Sequence, residues 1–356
     1  MSITNPIGSA VIGYGATHNF GWMHALWMME SPYFNLVAIC DRDEERAAQA
    51  RKDYPNVQVY TSTTDLYANR DVEMVTVVTP NFTHRDVVVE ALDNGRHALV
   101  ENGMCLNVKE AEDMVDASER NGKMLAVHHN RRHDGNYRAI KEIVAEGRIG
   151  DIYQIELSPT SYGDPFKGAD PDLWWTQRER SGGTFFYYGS QAMDWILDLI
   201  PSEVTGVTGF SQKLMWTSTS SEDQVTAILK FENGVVANFT ESYIDCSGKP
   251  FWRILGTKGC IIDQYGSAIP GYQYQTSTPA CGRFRLIEAT EDGYTRESLI
   301  HYKDSDWTEF YNDMGRHIRE GGPNPVPGEV GRRVIGLVDA ARESIESGET
   351  VVPKYN

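Results

Sequence analysis

Ser9-Ala-Val-Ile-Gly-Tyr-Gly15 is a short apolar run that ends in a glycine turn. A second run, Leu36-Val-Ala-Ile-Cys40, ends on Asp41. Apolar runs without alternation are what strands look like when helices cover both faces of a parallel sheet. Gly13 lets the chain reverse tightly, and Gly15 lets its backbone approach a pyrophosphate held at a helix N-terminus. Asp41 can accept hydrogen bonds from both hydroxyls of an adenosine ribose. The stretch therefore predicts a dinucleotide-binding unit. The third glycine of that pattern is missing from its usual place, where His18 stands. Thr17–Phe20 reads as an extension, and Gly21 takes the third role at the start of the helix that carries His24. Asp41 favours NAD, because a 2′-phosphate would meet its charge. Arg42 could stack on adenine or pair with such a phosphate, so NADP remains possible.

The same alternation continues. Helices are expected over Trp22–Met29, Glu44–Asp53, His84–Asn94 and Val108–Asn121, and strands over Met74–Val78, His97–Val100 and Met124–Val127. Asn94-Gly95 and Asn121-Gly122 are helix stop signals. This predicts a doubly wound α/β domain over residues 1–128. Beyond it, a helix over Tyr137–Glu146 precedes strands of period two: Ile152–Leu157, Val225–Phe231, Val235–Tyr243 and Phe251–Leu255. Phe231-Glu-Asn-Gly234 is a hairpin turn. Residues 129–356 are expected to form a second α/β domain with a mainly antiparallel open sheet and a final helix over Val330–Ser347. Ser158–Arg180, rich in Gly, Pro, Asp and Trp, reads as a loop over the site.

Composition excludes several function classes. The formal net charge of -17 repels phosphate backbones, so nucleic acid is not an expected partner. No apolar run approaches the roughly 20 residues that span a bilayer, so no membrane association is expected. The five cysteines are scattered and odd in number, which fits a reducing, cytoplasmic setting better than a disulfide framework. His128, His129 and His133 cluster, but not at helix-borne ligand spacing, and no metal is expected.

The chain resembles the Gfo/Idh/MocA family of nicotinamide-dependent oxidoreductases over nearly its whole length. The resemblance is carried by Gly21-Trp-Met-His24, Cys40-Asp-Arg42, Thr79-Pro-Asn81 with His84, and Glu101-Asn-Gly-Met-Cys-Leu-Asn107. It continues in Asn130-Arg-Arg-His-Asp134 with Tyr137, Gly147-Arg-Ile-Gly-Asp151, Gly182-Gly183 with Gly189 and Asp194, and the Gly256-Thr-Lys-Gly259 turn. It implies a Rossmann domain followed by an α/β domain whose open sheet joins subunits into a homodimer or homotetramer. It also implies cofactor contacts from Gly13, Gly15, Gly21, Asp41, Arg42, Thr79, Asn81, His84 and Glu101. The departures lie in the proton-handling positions. Where the family has Glu-Lys-Pro this chain has Glu101-Asn102-Gly103, and an amide cannot act as a base. Tyr187 falls on the family's aspartate and Gln191 on its histidine.

The expected activity is NAD(P)-dependent oxidation of a ring hydroxyl, or reduction of its ketone, on a sugar, cyclitol or sugar derivative. Tyr187, with a lowered pKa, is the leading proton carrier. His129 or its neighbour His128 is a second candidate, with Asn102 and Gln191 orienting the substrate. Tyr162, Trp175 and Arg178, on or near the covering loop, offer aromatic faces and a planar cation to a polyol or an acidic substituent. Two alternatives share the fold: a hydrolase, lyase or epimerase that retains NAD and oxidises transiently, and a non-catalytic NAD-binding regulator.

Overall fold

Six apolar segments pair side by side in the first part of the chain: β1 (Ile7–Ile12), β2 (Phe34–Cys40), β3 (Gln58–Tyr60), β4 (Met74–Val77), β5 (His97–Val100) and β6 (Leu125–Val127). All run parallel, in the order β3-β2-β1-β4-β5-β6. Every residue of β1 and β4 is buried, which is why neither alternates in sequence. The order reverses between β1 and β4, the switch point at which such sheets open a crevice beyond their carboxyl ends. Gly13, Asp41, Thr79, Glu101 and His128 all stand just past a strand at that edge.

The computed structural model describes residues 5–15, 20–264, 277–278 and 282–355. His18 and most of the expected Thr17–Phe20 extension lie outside them. The chain divides into two units, Met1–Asn130 with Asp306–Arg332, and Arg131–Ser305 with Arg333–Asn356. The boundary expected at residue 128 thus falls two residues later. Segment 306–332, expected in the second domain, belongs to the first. A helix over Thr308–Glu320 buries Phe310, Tyr311 and Met314 there. A segment returning from so far along the chain leaves no local signal of its destination.

The second unit is built on β7 (Ile152–Leu157), β8 (Val204–Gln212), β9 (Gln224–Phe231), β10 (Val236–Ser242), β11 (Trp252–Gly256) and β12 (Gly259–Asp263). Two further strands, Arg283–Ala289 and Thr295–His301, complete an eight-stranded sheet. Its order is Thr295–His301, Arg283–Ala289, β12, β11, β7, β10, β9, β8. Only the β7–β10 pair is parallel among these neighbours. β9 alternates buried and less buried residues, as one covered face requires. Helices over Gly135–Ala145 and Gly189–Leu199 contribute Tyr137 and Trp195, which stack 5.4 Å apart. Trp252 of β11 stacks on Tyr137 at 6.3 Å. The expected segments Tyr137–Glu146 and Val235–Tyr243 are each shifted or trimmed by one or two residues at their ends. Among the described residues, no helix is long and apolar enough to cross a membrane.

Candidate active site

Backbone geometry singles out the glycine turn. Gly13 has φ +94°, and a Cβ there would lie 2.7 Å from the Val78 carbonyl oxygen, so only glycine fits. A Cβ on Gly21 would collide with the carbonyl oxygens of Gly13 and Tyr14, so the turn and the helix over Phe20–Glu30 approach as closely as backbones can. The buried Asp41 carboxylate draws the turn onto itself. Its Oδ2 accepts from the amides of Tyr14 (3.0 Å) and Gly15 (3.2 Å), and its Oδ1 from that of Asp43 (2.9 Å). A glycine turn packed this tightly between β4 and the helix, with a carboxylate at the end of the neighbouring strand, fits a dinucleotide. Arg42 beside it is exposed.

Past β4 and β5, one imidazole ties two loops together. The ring nitrogens of buried His84 face the carbonyl oxygens of Thr79 (2.6 Å) and Gly103 (3.0 Å). Burial holds this histidine below its ordinary pKa, although the two carbonyls pull the other way. Asn81 is buried, and Asn102 is half-buried with its backbone N–H donating to Glu101 Oε2 at 2.8 Å.

Glu101 is the centre of a network. Its Oε1 lies 2.6 Å from His24 Nε2 and 2.8 Å from His128 Nδ1. His24 Nδ1 lies 2.6 Å from the Tyr311 hydroxyl, which in turn lies 3.3 Å from Thr76 Oγ1. Burial pushes the Glu101 carboxyl up, but the facing His128 and His24 outweigh it and hold it well below the usual carboxylate range. His24, Glu101 and His128 could also offer three ligands to a metal. Ligands of a tetrahedral zinc stand roughly 3.3 Å apart, and the observed contacts are hydrogen-bond lengths. We read the trio as a hydrogen-bonded network. Of the two histidines after β6, His128 joins it; His129 is also buried.

The other expected residues lie in the second unit, Tyr187 and Gln191 at the start of the helix over Gly189–Leu199. Segment 184–188 is coiled: a 3₁₀ turn over Thr184–Phe186 runs into the helix. The Tyr187 hydroxyl donates to the Trp175 carbonyl oxygen at 3.0 Å and accepts from Ser221 Oγ at 2.8 Å. Burial pushes that hydroxyl up, opposite to the expected lowering, because its hydrogen-bond partners are neutral and, among the described residues, no cation is among the causes that act on it. Gln191 is 3% exposed, and its Nε2 has no partner among the described residues. A buried amide donor without an acceptor is the kind of group a ligand satisfies. Trp175 is half-buried, edge-on to Trp174 at 5.8 Å. Tyr162 is exposed against Trp216. Arg178 is not a free cation: its Nε donates to Glu222 Oε1 at 2.6 Å. Asp194 pairs with Arg132, taking bonds of 2.8 and 2.7 Å.

Sequence reasoning missed one group here. Glu241, near the end of β10, is 2% exposed. Its Oε1 accepts from the Tyr243 hydroxyl at 2.8 Å and its Oε2 from the Tyr188 amide at 3.3 Å. Glu241 has the inward parity of Ala237 and Phe239 on an alternating strand, and a carboxylate at such a position was the available signal.

Comparison with known proteins bears on both units. Residues 7–129 match the model of the oxidoreductase family with an NAD-binding Rossmann fold, and residues 137–262 match the GFO/IDH/MocA C-terminal domain. Scyllo-inositol 2-dehydrogenase (NADP(+)) of Bacillus subtilis is 25% identical over 329 residues, covering 87% of each chain. The 1,5-anhydro-D-fructose reductase of Ensifer adhaerens is 25% identical over 64% of this chain and 67% of its own. A solved oxidoreductase from Agrobacterium radiobacter, in complex with NAD+, L-tartaric acid and magnesium, superposes with a TM-score of 0.80. It is 22% identical, with 98% of each chain covered.

Proposed function

The chain belongs to the GFO/IDH/MocA family of NAD(P)-dependent oxidoreductases, and we propose that it interconverts a ring hydroxyl and its ketone on a sugar, cyclitol or sugar derivative. One observation carries the reading: the glycine turn at Gly13, too tight against the Val78 backbone for any side chain, with the buried Asp41 carboxylate on the amides of Tyr14 and Gly15. Bound there, the dinucleotide supplies the hydride acceptor or donor. The carbohydrate class is supported by the two named relatives, an inositol dehydrogenase and an anhydrofructose reductase.

The chain's own residues divide the remaining work. Gly13, Gly15 and Gly21 shape the cofactor turn, Asp41 meets the ribose, and Thr79, Asn81, His84 and Glu101 line the carboxyl edge. The network through His24 and His128 fixes the Glu101 carboxylate, which fixes the peptide carrying Asn102. Asn102 and Gln191 hydrogen-bond the substrate, and the unsatisfied Gln191 amide supports this. Trp175 and Tyr162 present aromatic faces to the apolar C–H patches of a ring. Arg178 reaches an acidic substituent only by leaving Glu222. Tyr187 and His129 remain candidates to orient the reacting oxygen. A homodimer or homotetramer in the cytoplasm completes the reading.

The test is a panel of cyclitols, aldoses and anhydro-sugar ketones with NAD and with NADP, followed by nicotinamide absorbance. Net reduction or oxidation with one such class is expected, faster with NAD. Tight NAD binding without net redox change, but with release of an aglycone, would replace this reading with transient oxidation. Asp41→Ala should weaken NAD binding by about tenfold or more, the loss of charge-assisted bonds of about 1.5–3 kcal/mol.

A further inference from the structure

One imidazole in the first unit faces more acceptors than its neutral form can serve. The ring of His84 is fully buried, and its two nitrogens lie 2.6 Å from the Thr79 carbonyl oxygen and 3.0 Å from that of Gly103. A carbonyl only accepts, and a neutral imidazole carries one N–H; the imidazolium alone donates from both nitrogens. With a single proton, the second nitrogen turns a lone pair toward a carbonyl oxygen. Protonated at both, the ring straps the loop after β4 to the loop after β5. Neither nitrogen is left for a ligand, so His84 serves the site through these loops and not by touching the cofactor.

Backbone contacts carry the strap to the glycine turn. A Cβ on Gly13 would meet the backbone of Val78 at 2.7 Å and of Thr79 at 3.0 Å, so the turn rests on the residue whose carbonyl His84 takes. The Val78 amide donates to the Ile12 carbonyl oxygen at 2.8 Å, and the Glu101 amide to that of Val77 at 3.0 Å. Gly103 follows Glu101 and the Asn102 N–H that Glu101 holds. Every residue of this chain of contacts lies in the first unit. We propose that His84 is a positioning residue of the dinucleotide site, and that NAD binding takes up a proton on its ring by favouring the form strapped at both nitrogens.

The charges around the ring leave room for that change. Burial is the largest influence and pulls its pKa down; the two carbonyls, the backbone at Met104 and the Glu101 carboxylate pull it up without prevailing. Glu101 is itself held ionised by His128 and His24. On the helix of His84, the neighbouring Arg85 and Asp86 pair with each other. An anionic pyrophosphate at the glycine turn adds to the pull toward the imidazolium. A ring whose pKa rises on binding makes the complex tighter in acid. Affinity for NAD therefore falls as pH climbs from the ring's pKa in the free protein to its value in the complex, and levels off above that.

This inference rests on the dinucleotide site described above, and calorimetry separates the two. Titration of the full-length protein with NAD, in two buffers of different ionisation enthalpy, counts the protons taken up. Uptake approaching about one proton per site is expected within the range of about pH 5 to 8 where an imidazole changes charge. Spectra of 15N-labelled histidine should show the His84 ring protonated at both nitrogens in the NAD complex at a pH where the free protein shows it protonated at one. His84→Gln keeps a donor but cannot titrate. It should lose the proton uptake and the fall of affinity with pH, and bind NAD about tenfold more weakly at the acid end, as the loss of a charge-assisted bond implies. If that variant does not fold, the spectra and the proton count of the wild type decide alone. Uptake that persists unchanged in His84→Gln, or a ring carrying one proton in both the free and the NAD-bound protein, overturns the proposal. NAD binding without proton uptake at any pH in the range breaks the linkage and leaves the site standing. No affinity for NAD or NADP breaks the dinucleotide site itself, and the linkage with it.

Discussion

Two glutamates stand near strand ends, the half-buried Glu101 just past β5 in the first unit and the buried Glu241 within β10 in the second, and their environments drive them in opposite directions. Glu101 in the first unit faces His24 and His128 at 2.6 and 2.8 Å and is held well below the usual carboxylate range. Glu241 in the second unit faces a phenol and backbone amides and is pushed up to about 8. Burial disfavours the charged form of both. The partners decide the outcome: basic side chains offset the cost of desolvation, and neutral donors do so only in part. Glu101 stays ionised and fixes the Asn102 peptide; Glu241 gains and loses a proton at a pH where enzymes work.

Substitutions can break or sharpen this contrast. Glu101→Leu removes the centre of the first network and leaves two histidines facing an apolar group. It should cost about 3–5 kcal/mol in urea unfolding, as for a buried pair that loses one partner. Asp194→Ala removes the two short bonds to the Arg132 guanidinium in the second unit, leaving it Asp198 at 3.6 Å, and should cost about 3 kcal/mol. A loss of that size would show that the partner, not the unit, sets the behaviour of a buried acid. Tyr243→Phe removes one hydrogen bond to Glu241 and should cost only about 1 kcal/mol. A cost as large as that of Glu101→Leu would mean that Glu241 is ionised in the folded protein.

The first region was the more legible in sequence. β1 and β4 are unbroken apolar runs because both faces of their sheet are covered, and Gly13 and Asp41 follow directly from the turn chemistry. The Glu101 network was not legible, because Tyr311 reaches His24 from 287 residues away. No period or spacing encodes a contact of that length. In the second unit the alternating strands β7, β9, β10 and β11 were legible. The strands Val204–Gln212, Arg283–Ala289 and Thr295–His301 were not: the first carries two glycines, and the others pair charged side chains such as Arg285 with Glu297 across an exposed ladder. Tyr187 drew attention because it replaced an acid of the family pattern. Its pKa could not be read without knowing that Trp175 and Ser221, neutral groups, surround its hydroxyl.

The contrast is tested most directly by unfolding wild type, Glu101→Gln and Glu241→Gln in urea between pH 5 and 8. A carboxyl raised to about 8 when folded binds a proton that the unfolded chain, titrating near 4.5, has already released. Wild type should therefore lose stability across this interval at up to about 1.4 kcal/mol per pH unit from this group. Glu241→Gln should lack that loss and gain on wild type as pH rises. A carboxyl lowered when folded contributes its stability above about 4.5 and loses it in more acid solution. Glu101→Gln should accordingly trail wild type at both pH 5 and pH 8. If Glu241→Gln does not gain on wild type as pH rises across the interval, Glu241 is not raised and the account is contradicted.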